Sequence, residues 1–220
     1  MSNVLIEIRE NAAIVTHGNG GDSLFKKTVK IESLVKAFQD KGTGINTPVL
    51  PVGTIKWQEK GNRAFLFLYS PPVKFDANYK SEVITDCIRP GVIMKFELQV
   101  NKKNFTLSQT FAWAVKDAPM FFNDNTILYN LPFPNVSDSG WVCWGGGSVL
   151  SGEFQSLCGL GNYINRLFNA PFNNDLFQGS LFRHVGFDTP LGLFNFLKGK
   201  EEFPDQLYVD SGRNYTLGTI

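Results

Sequence analysis

The chain has 220 residues, enough for one well-buried core with a small appended unit. Hydrophobic residues make up 43% of it, with 20 phenylalanines, which excludes a disordered chain. Lys and Arg number 21 against 20 Asp and Glu, with no run of either sign, so no phosphate-tracking nucleic-acid surface is predicted.

The first residues, Met1-Ser2-Asn3-Val4-Leu5-Ile6-Glu7, carry neither the basic region nor the apolar run of a signal peptide. No apolar stretch approaches the roughly 18 residues that span a bilayer, so no membrane association is expected. Cys87, Cys143 and Cys158 are odd in number and widely spaced, which suits free thiols in the cytoplasm. His17 and His184 have no clustered Cys or acidic partners, and no metal site is predicted.

Val4–Ile8 and Ala12–Val15 flank Glu10-Asn11 and predict a hairpin over residues 4–17, after which Gly18-Asn19-Gly20-Gly21 breaks the chain. Ile31, Leu34, Val35 and Phe38 have helical spacing, ending near Gly42. Gly42 to Pro51 reads as a linker, so residues 1–45 form an N-terminal extension and residues 46–220 the main domain. Ile55 and Trp57 alternate before Lys60-Gly61-Asn62, and Phe65, Phe67 and Tyr69 alternate after it, a second hairpin that Pro71-Pro72 ends. Val92, Met94, Phe96, Leu98 and Val100 lie on one strand face, with Lys95, Glu97 and Gln99 on a wet one. Phe105, Leu107, Phe111, Trp113 and Val115 repeat the alternation beyond the turn Asn101–Asn104.

Further on, Phe154, Leu157, Cys158, Ile164, Leu167 and Phe168 approximate helical spacing as far as Pro171, weakened by Gly159 and Gly161. A short helix is predicted over Leu191–Leu197, followed by a polar tail. The order is helix, antiparallel meander, irregular segment, helices: an α+β layout with helices against one sheet face.

Pro134-Asn135-Val136-Ser137-Asp138-Ser139-Gly140-Trp141-Val142-Cys143 lies between the strand-like and the helix-like halves. A thiolate attacks an acyl carbonyl and leaves again readily, so a cysteine in an exposed loop suits an acyl carrier. Such a carrier needs a donor for the tetrahedral oxyanion, and one amide contributes roughly 3 kcal/mol to that task. Asn135 is the candidate, and its side chain is equally suited to stiffening the loop through backbone bonds. No histidine lies near Cys143, which fits a carrier better than a hydrolase that would destroy its own thioester.

The pattern Pro-Asn-x4-Gly-x2-Cys resembles the active site of the ubiquitin-conjugating (UBC) superfamily. The match places Cys143 on the thioester-forming cysteine and Asn135 on the asparagine of the family's His-Pro-Asn motif, which here reads Phe133-Pro134-Asn135. In the family that histidine chiefly holds the loop. Ala170-Pro171-Phe172-Asn173-Asn174-Asp175-Leu176 is similar to the family's Pro-Asn-Pro-x-Asp turn, and implies that Asp175 orients an incoming lysine. The large strand-rich middle and the N-terminal extension most resemble prokaryotic UBC family D, the group that includes PRTRC-system protein B. The resemblance implies a UBC-like fold and a ubiquitin-like protein as cargo. It further implies a ThiF-like activating enzyme and a JAB-type peptidase in the same pathway. ATP and magnesium belong to the activating partner, and no cofactor is assigned to this chain.

Three readings of Cys143 stand side by side. It is an acyl carrier, or a structural thiol in a UBC-like scaffold that only binds partners, or a hydrolase nucleophile paired with His184. Cys87 and Cys158 are expected in the core. Trp141 and Trp144 flank Cys143 and either wall it, form a partner surface or pack conventionally. Gly145-Gly146-Gly147 lacks the Lys-Ser/Thr of a P-loop and is read as a tight turn or as room for an extended peptide. Glu32, Lys36, Gln39 and Asp40, on the exposed side of the first helix, are either a solvated face or a contact for the activating enzyme.

Overall fold

Runs of β-branched and aromatic residues at period two form strands because every second side chain then reaches the same buried face. The computed structural model describes residues 2–9, 12–19, 22–32, 48–101, 104–116, 122–145, 153–154, 156–177, 186–210 and 212–220. The chain divides into two compact units, Met1–Pro48 and Val49–Ile220.

In the first unit β1 (Ser2–Arg9), β2 (Ala12–Asn19) and β3 (Asp22–Lys30) form an antiparallel sheet in that order. The expected hairpin is present. The glycine-rich segment does not end the sheet: β2 continues through Gly18 and Asn19, with a register shift after His17, and β3 pairs along it. The predicted helix begins at Ile31 and Glu32, and its remainder lies outside the described residues.

In the second unit β4 (Thr54–Lys60) and β5 (Arg63–Ser70) form the predicted hairpin, turning at Gly61 with φ +63°. Pro71-Pro72 ends β5, since proline cannot donate to a ladder. A further ribbon follows, β6 (Val73–Tyr79) and β7 (Glu82–Arg89). Its alternation is hidden by a bulge on β7: Phe75 pairs with Cys87 and Ala77 with Ile84, so Thr85 and Asp86 stand opposite the single Asp76. Then come β8 (Gly91–Asn101), β9 (Asn104–Val115) and the short β10 (Glu153–Phe154). The main sheet runs β10-β9-β8-β5-β4, all antiparallel, and β6–β7 stands apart from it.

The expectation that Phe105, Leu107, Phe111, Trp113 and Val115 repeat one pattern needs a correction. Leu98 pairs with Leu107 but Glu97 pairs with Gln109, so Ser108 is an extra residue whose Oγ donates to the Glu97 carbonyl at 2.8 Å. Past that bulge the parity reverses. Leu107, Ala112 and Ala114 join the main core, whereas Trp113 and Val115 join a second cluster with Phe67 and Ile93 on the opposite face. That opposite face is therefore not simply wet. Lys95 and Glu97 pair on it at 2.9 Å, but Leu128, Tyr215, Leu217 and Ile220 cover the part around Trp113.

The main core lies between the sheet and a layer made of β6–β7 with two short helices, α1 (Tyr163–Asn169) and α2 (Pro190–Leu197). The helix expected from Phe154 to Phe168 is only half α. Leu157–Asn162, containing Gly159 and Gly161, forms a 3₁₀ turn before α1. In that turn Leu157 and Leu160 point inward, three residues apart, and Cys158 is exposed, contrary to its expected core position. Cys87 is buried as expected. α2 follows its predicted bounds closely, with Thr189 Oγ1 accepting from Gly192 N and Pro190 in the first turn.

One buried cation braces α1. Arg89, 2% exposed, donates from Nη1 to the carbonyls of Pro71 and Pro90, and from Nη2 to Ser70 Oγ at 2.7 Å. Its guanidinium lies 4.9 Å from the centre of the Phe168 ring. Burial pulls its pKa down to about 10, so it remains charged at neutral pH.

Candidate active site

After β9 the chain returns along the part of that strand's edge, Thr110–Ala114, beyond its pairing with β10. Tyr129 exchanges two backbone bonds with Ala114, each 2.8 Å. Leu131 and Phe133 then point into the main core. Phe133 is 1% exposed and its ring centre lies 5.1–6.1 Å from those of Phe75, Phe168, Phe172 and Phe194. The position that resembles the family's histidine is thus an apolar anchor here, and the loop is held by aromatic packing.

Residues 135–143 form a tight hairpin. Val136 and Val142 make an antiparallel bridge, Ser137 N donates to the Trp141 carbonyl, and Cys143 N donates to the Asn135 carbonyl at 2.8 Å. The turn closes through Gly140 N to the Ser137 carbonyl at 2.9 Å. Gly140 has φ +83°, and a Cβ there would lie 2.6 Å from the Trp113 indole, so both backbone and space require glycine. The outer arm pairs with β9 through Ala112 N to Gly140 O and Val142 N to Thr110 O. The spacing of the motif follows from this geometry. Asn135 and Cys143 are cross-strand neighbours and share one side, while Val136 and Val142 are buried on the other.

The next residue is fixed from two directions. Trp144 Nε1 donates to Thr110 Oγ1 at 2.6 Å, and its ring meets Tyr163 of α1 edge-on at 5.4 Å. Thr110 faces inward because the bulge at Ser108 reversed the parity of β9. Trp141 packs differently: it bridges to Phe111 on the sheet edge and is 38% exposed.

A cleft of about 270 Å³ opens on the shared side of Asn135 and Cys143. Pro134, Asn135, Cys143, Trp144 and Gly145 form one wall; Ala170, Pro171, Asn173, Asp175 and Leu176 form the other. The three residues singled out in the sequence, Cys143, Asn135 and Asp175, therefore line one cavity. Asp175 is the only carboxylate among its described lining residues. Cys143 is half-buried, and Asn135 is 8% exposed with Nδ2 donating to the Pro171 carbonyl at 3.4 Å. That bond joins the two walls.

The second wall is anchored to β6. Phe172 N donates to the Asn78 carbonyl at 2.6 Å, Lys80 N donates to the Phe172 carbonyl, and Tyr79 Oη donates to Asn174 Oδ1 at 2.6 Å. Asn173 is tied to Asp175 twice, accepting from its N–H at Oδ1 and donating from Nδ2 to its Oδ2. Trp144 walls the cleft as one of its sequence readings allows, whereas the sequence does not mark Thr110 or Asn173 as functional, although Asn173-Asn174-Asp175 is the kind of sequence that makes such a local turn. Gly145 has φ +72° and continues the wall, Gly146 and Gly147 lie outside the described residues, and so does His184. No cluster of metal-ligating side chains occurs among the described residues.

The antiparallel sheet with helices on one face and a cysteine-bearing hairpin beside it make an α+β fold consistent with the E2-like class. The family model of prokaryotic E2 family D matches residues 30–211, and the chain belongs to that family. No curated protein gives a match, and no solved structure does. Among the described residues no helix is long and apolar enough to cross a membrane.

Proposed function

We propose that this chain is an acyl carrier that holds the C-terminus of a ubiquitin-like protein on Cys143 as a thioester and passes it to an amine. The observation that supports this most directly is the pairing of Asn135 with Cys143 at the mouth of a cleft whose opposite wall carries Asp175. Transthiolation forms a bond from Cys143 Sγ to the cargo's terminal carbonyl carbon and breaks that carbon's bond to the sulfur of a ThiF-like activating enzyme. The released thiolate takes up the proton that Cys143 gave away. An amine nitrogen then replaces Cys143 at the same carbon.

Asn135 has two amide hydrogens on Nδ2. One is directed at Pro171 O, leaving the other for the oxyanion of either tetrahedral intermediate. Asp175 supplies negative charge on the side from which an ammonium approaches, and helps orient and desolvate the nucleophile. A JAB-type peptidase acting on the same cargo fits such a pathway.

The test is to incubate the chain with its activating enzyme, the ubiquitin-like protein and ATP, then run a non-reducing gel beside Cys143→Ala. A thiol-sensitive adduct absent from the variant supports the carrier. No adduct, with an activating enzyme shown to be active, leaves a UBC-like scaffold that binds these partners without chemistry.

A further inference from the structure

We propose that Asn173 is a positioning residue, whose side-chain amide holds the Asp175 carboxylate at the angle from which an incoming amine is aimed at the Cys143 thioester. The inference rests on the carrier reading above. Asp175 is exposed, and an exposed carboxylate left to itself samples several rotamers. Here one of its oxygens is committed: Asn173 Nδ2 donates to Oδ2 at 2.8 Å, while Asp175 N donates to Asn173 Oδ1 at 2.9 Å. The two bonds fix the residue at both backbone and side chain, and leave Oδ1 available to an ammonium.

The clamp is itself held on both sides. Phe172, 1% exposed, is locked by its ring against Phe75, Phe133 and Phe194 and by its backbone to Asn78 and Lys80. Asn174 accepts from Tyr79 Oη. Asn173 thus stands between two anchored residues on a wall of the cleft, and its side chain bonds to Asp175 alone among the described residues. The Pro-Asn-Pro-x-Asp turn that this segment resembles has proline two places before the acidic residue. Here Asn173 occupies that place, and its side chain clamps the turn onto Asp175.

The step served forms a bond from the amine nitrogen to the acyl carbon and breaks the bond from that carbon to Cys143 Sγ. The nitrogen loses a proton to solvent, and the departing thiolate regains one. Asn173 takes no part in that exchange; it acts through Asp175.

The test uses the full chain carrying Cys158→Ser, so that the exposed second thiol does not react. Cys143 is loaded from a synthetic glycine-terminated peptide thioester, with Cys143→Ala as control, and discharge to free lysine is followed. Equal loading of every variant shows an intact cleft. Asn173→Ala is expected to lower the maximal discharge rate about tenfold, with the half-saturating lysine concentration changed less than about twofold. In an Asp175→Ala background the same substitution should lower it no further. An unchanged rate, a change confined to half-saturation, or an equal loss in both backgrounds overturns the inference while leaving the carrier intact. Failure of Cys143 to load on the parent chain overturns the carrier reading, and this inference with it.

Discussion

The backbone N–H of Cys143 and the carbonyl of Asn135 meet at 2.8 Å, which makes the two residues proposed for the chemistry a single cross-strand pair. Their relative placement is set by the turn between them. A hairpin slipped by one residue would send one of the two side chains to the buried face occupied by Val136 and Val142. The loop residues therefore set the placement of the proposed reactive pair without belonging to it.

Gly140 is the place where this shows. Gly140→Ala adds a Cβ at positive φ, 2.6 Å from the Trp113 indole. It should cost about 2–4 kcal/mol, from the left-handed backbone and the overpacking together. Urea unfolding measures the loss, and a changed alkylation rate at Cys143 reports the displaced hairpin.

Phe133→His would place an imidazole among the rings of Phe75, Phe168, Phe172 and Phe194. The expected result is destabilisation of about 2–4 kcal/mol with no gain in thioester formation, because a polar ring replaces an apolar one in a packed core. The loss should deepen below about pH 6.5, where the unfolded chain protonates the imidazole and the buried one resists. Unfolding curves at pH 5.5 and 8 measure it.

Arg89→Lys keeps the charge and loses the fork that reaches Pro71 O, Pro90 O and Ser70 Oγ together. A loss of about 2–4 kcal/mol is expected, since buried acceptors are left short of donors. Because the guanidinium also packs on Phe168 of α1, Cys143 discharge should slow as well.

Cys87 and Cys143 should separate by reactivity. The Cys87 thiol is buried, donates to the carbonyls of Ile84 and Phe194, and is pushed by burial up to about 11 from an ordinary 9.0. At pH 8 a mild alkylating agent should label Cys143 and Cys158 and spare Cys87, as read by mass spectrometry of the digested protein. Between pH 9 and 11 the folded chain retains a proton that the unfolded chain has released, so stability falls as pH rises through that window. Cys87→Val should flatten the slope. The part due to Tyr69, whose hydroxyl burial also raises, should persist.

Much of this arrangement is legible in the chain because it is local. The spacing from Asn135 to Cys143 contains its own turn, and the alternation of β8 states which side chains are buried. What escapes is what depends on one unpaired residue or on distant packing. The bulges at Ile55, at Thr85-Asp86 and at Ser108 break the period, which parts Ile55 from Trp57, conceals β6–β7 and misassigns Phe111 and Trp113. Cys158 lies outward because its segment winds at three residues per turn, a local tightening that apolar spacing does not reveal. Neither the bond from Trp144 to Thr110 nor the burial of Arg89 has a local signature, because each joins residues far apart in the chain.

Ser108 gives the molecule a counting rule. From that residue on, which half of β9 looks inward is decided by a single insertion, and the segment bearing Cys143 docks on the strand downstream of it. Deleting Ser108 would leave every later side chain chemically intact while exchanging inside for outside. Thr110 would leave Trp144 and turn toward the opposite layer, and Trp113 would be driven into a core with no room for it. A length change of one residue at this distant-looking spot is therefore a more severe lesion to the cleft than most substitutions within it.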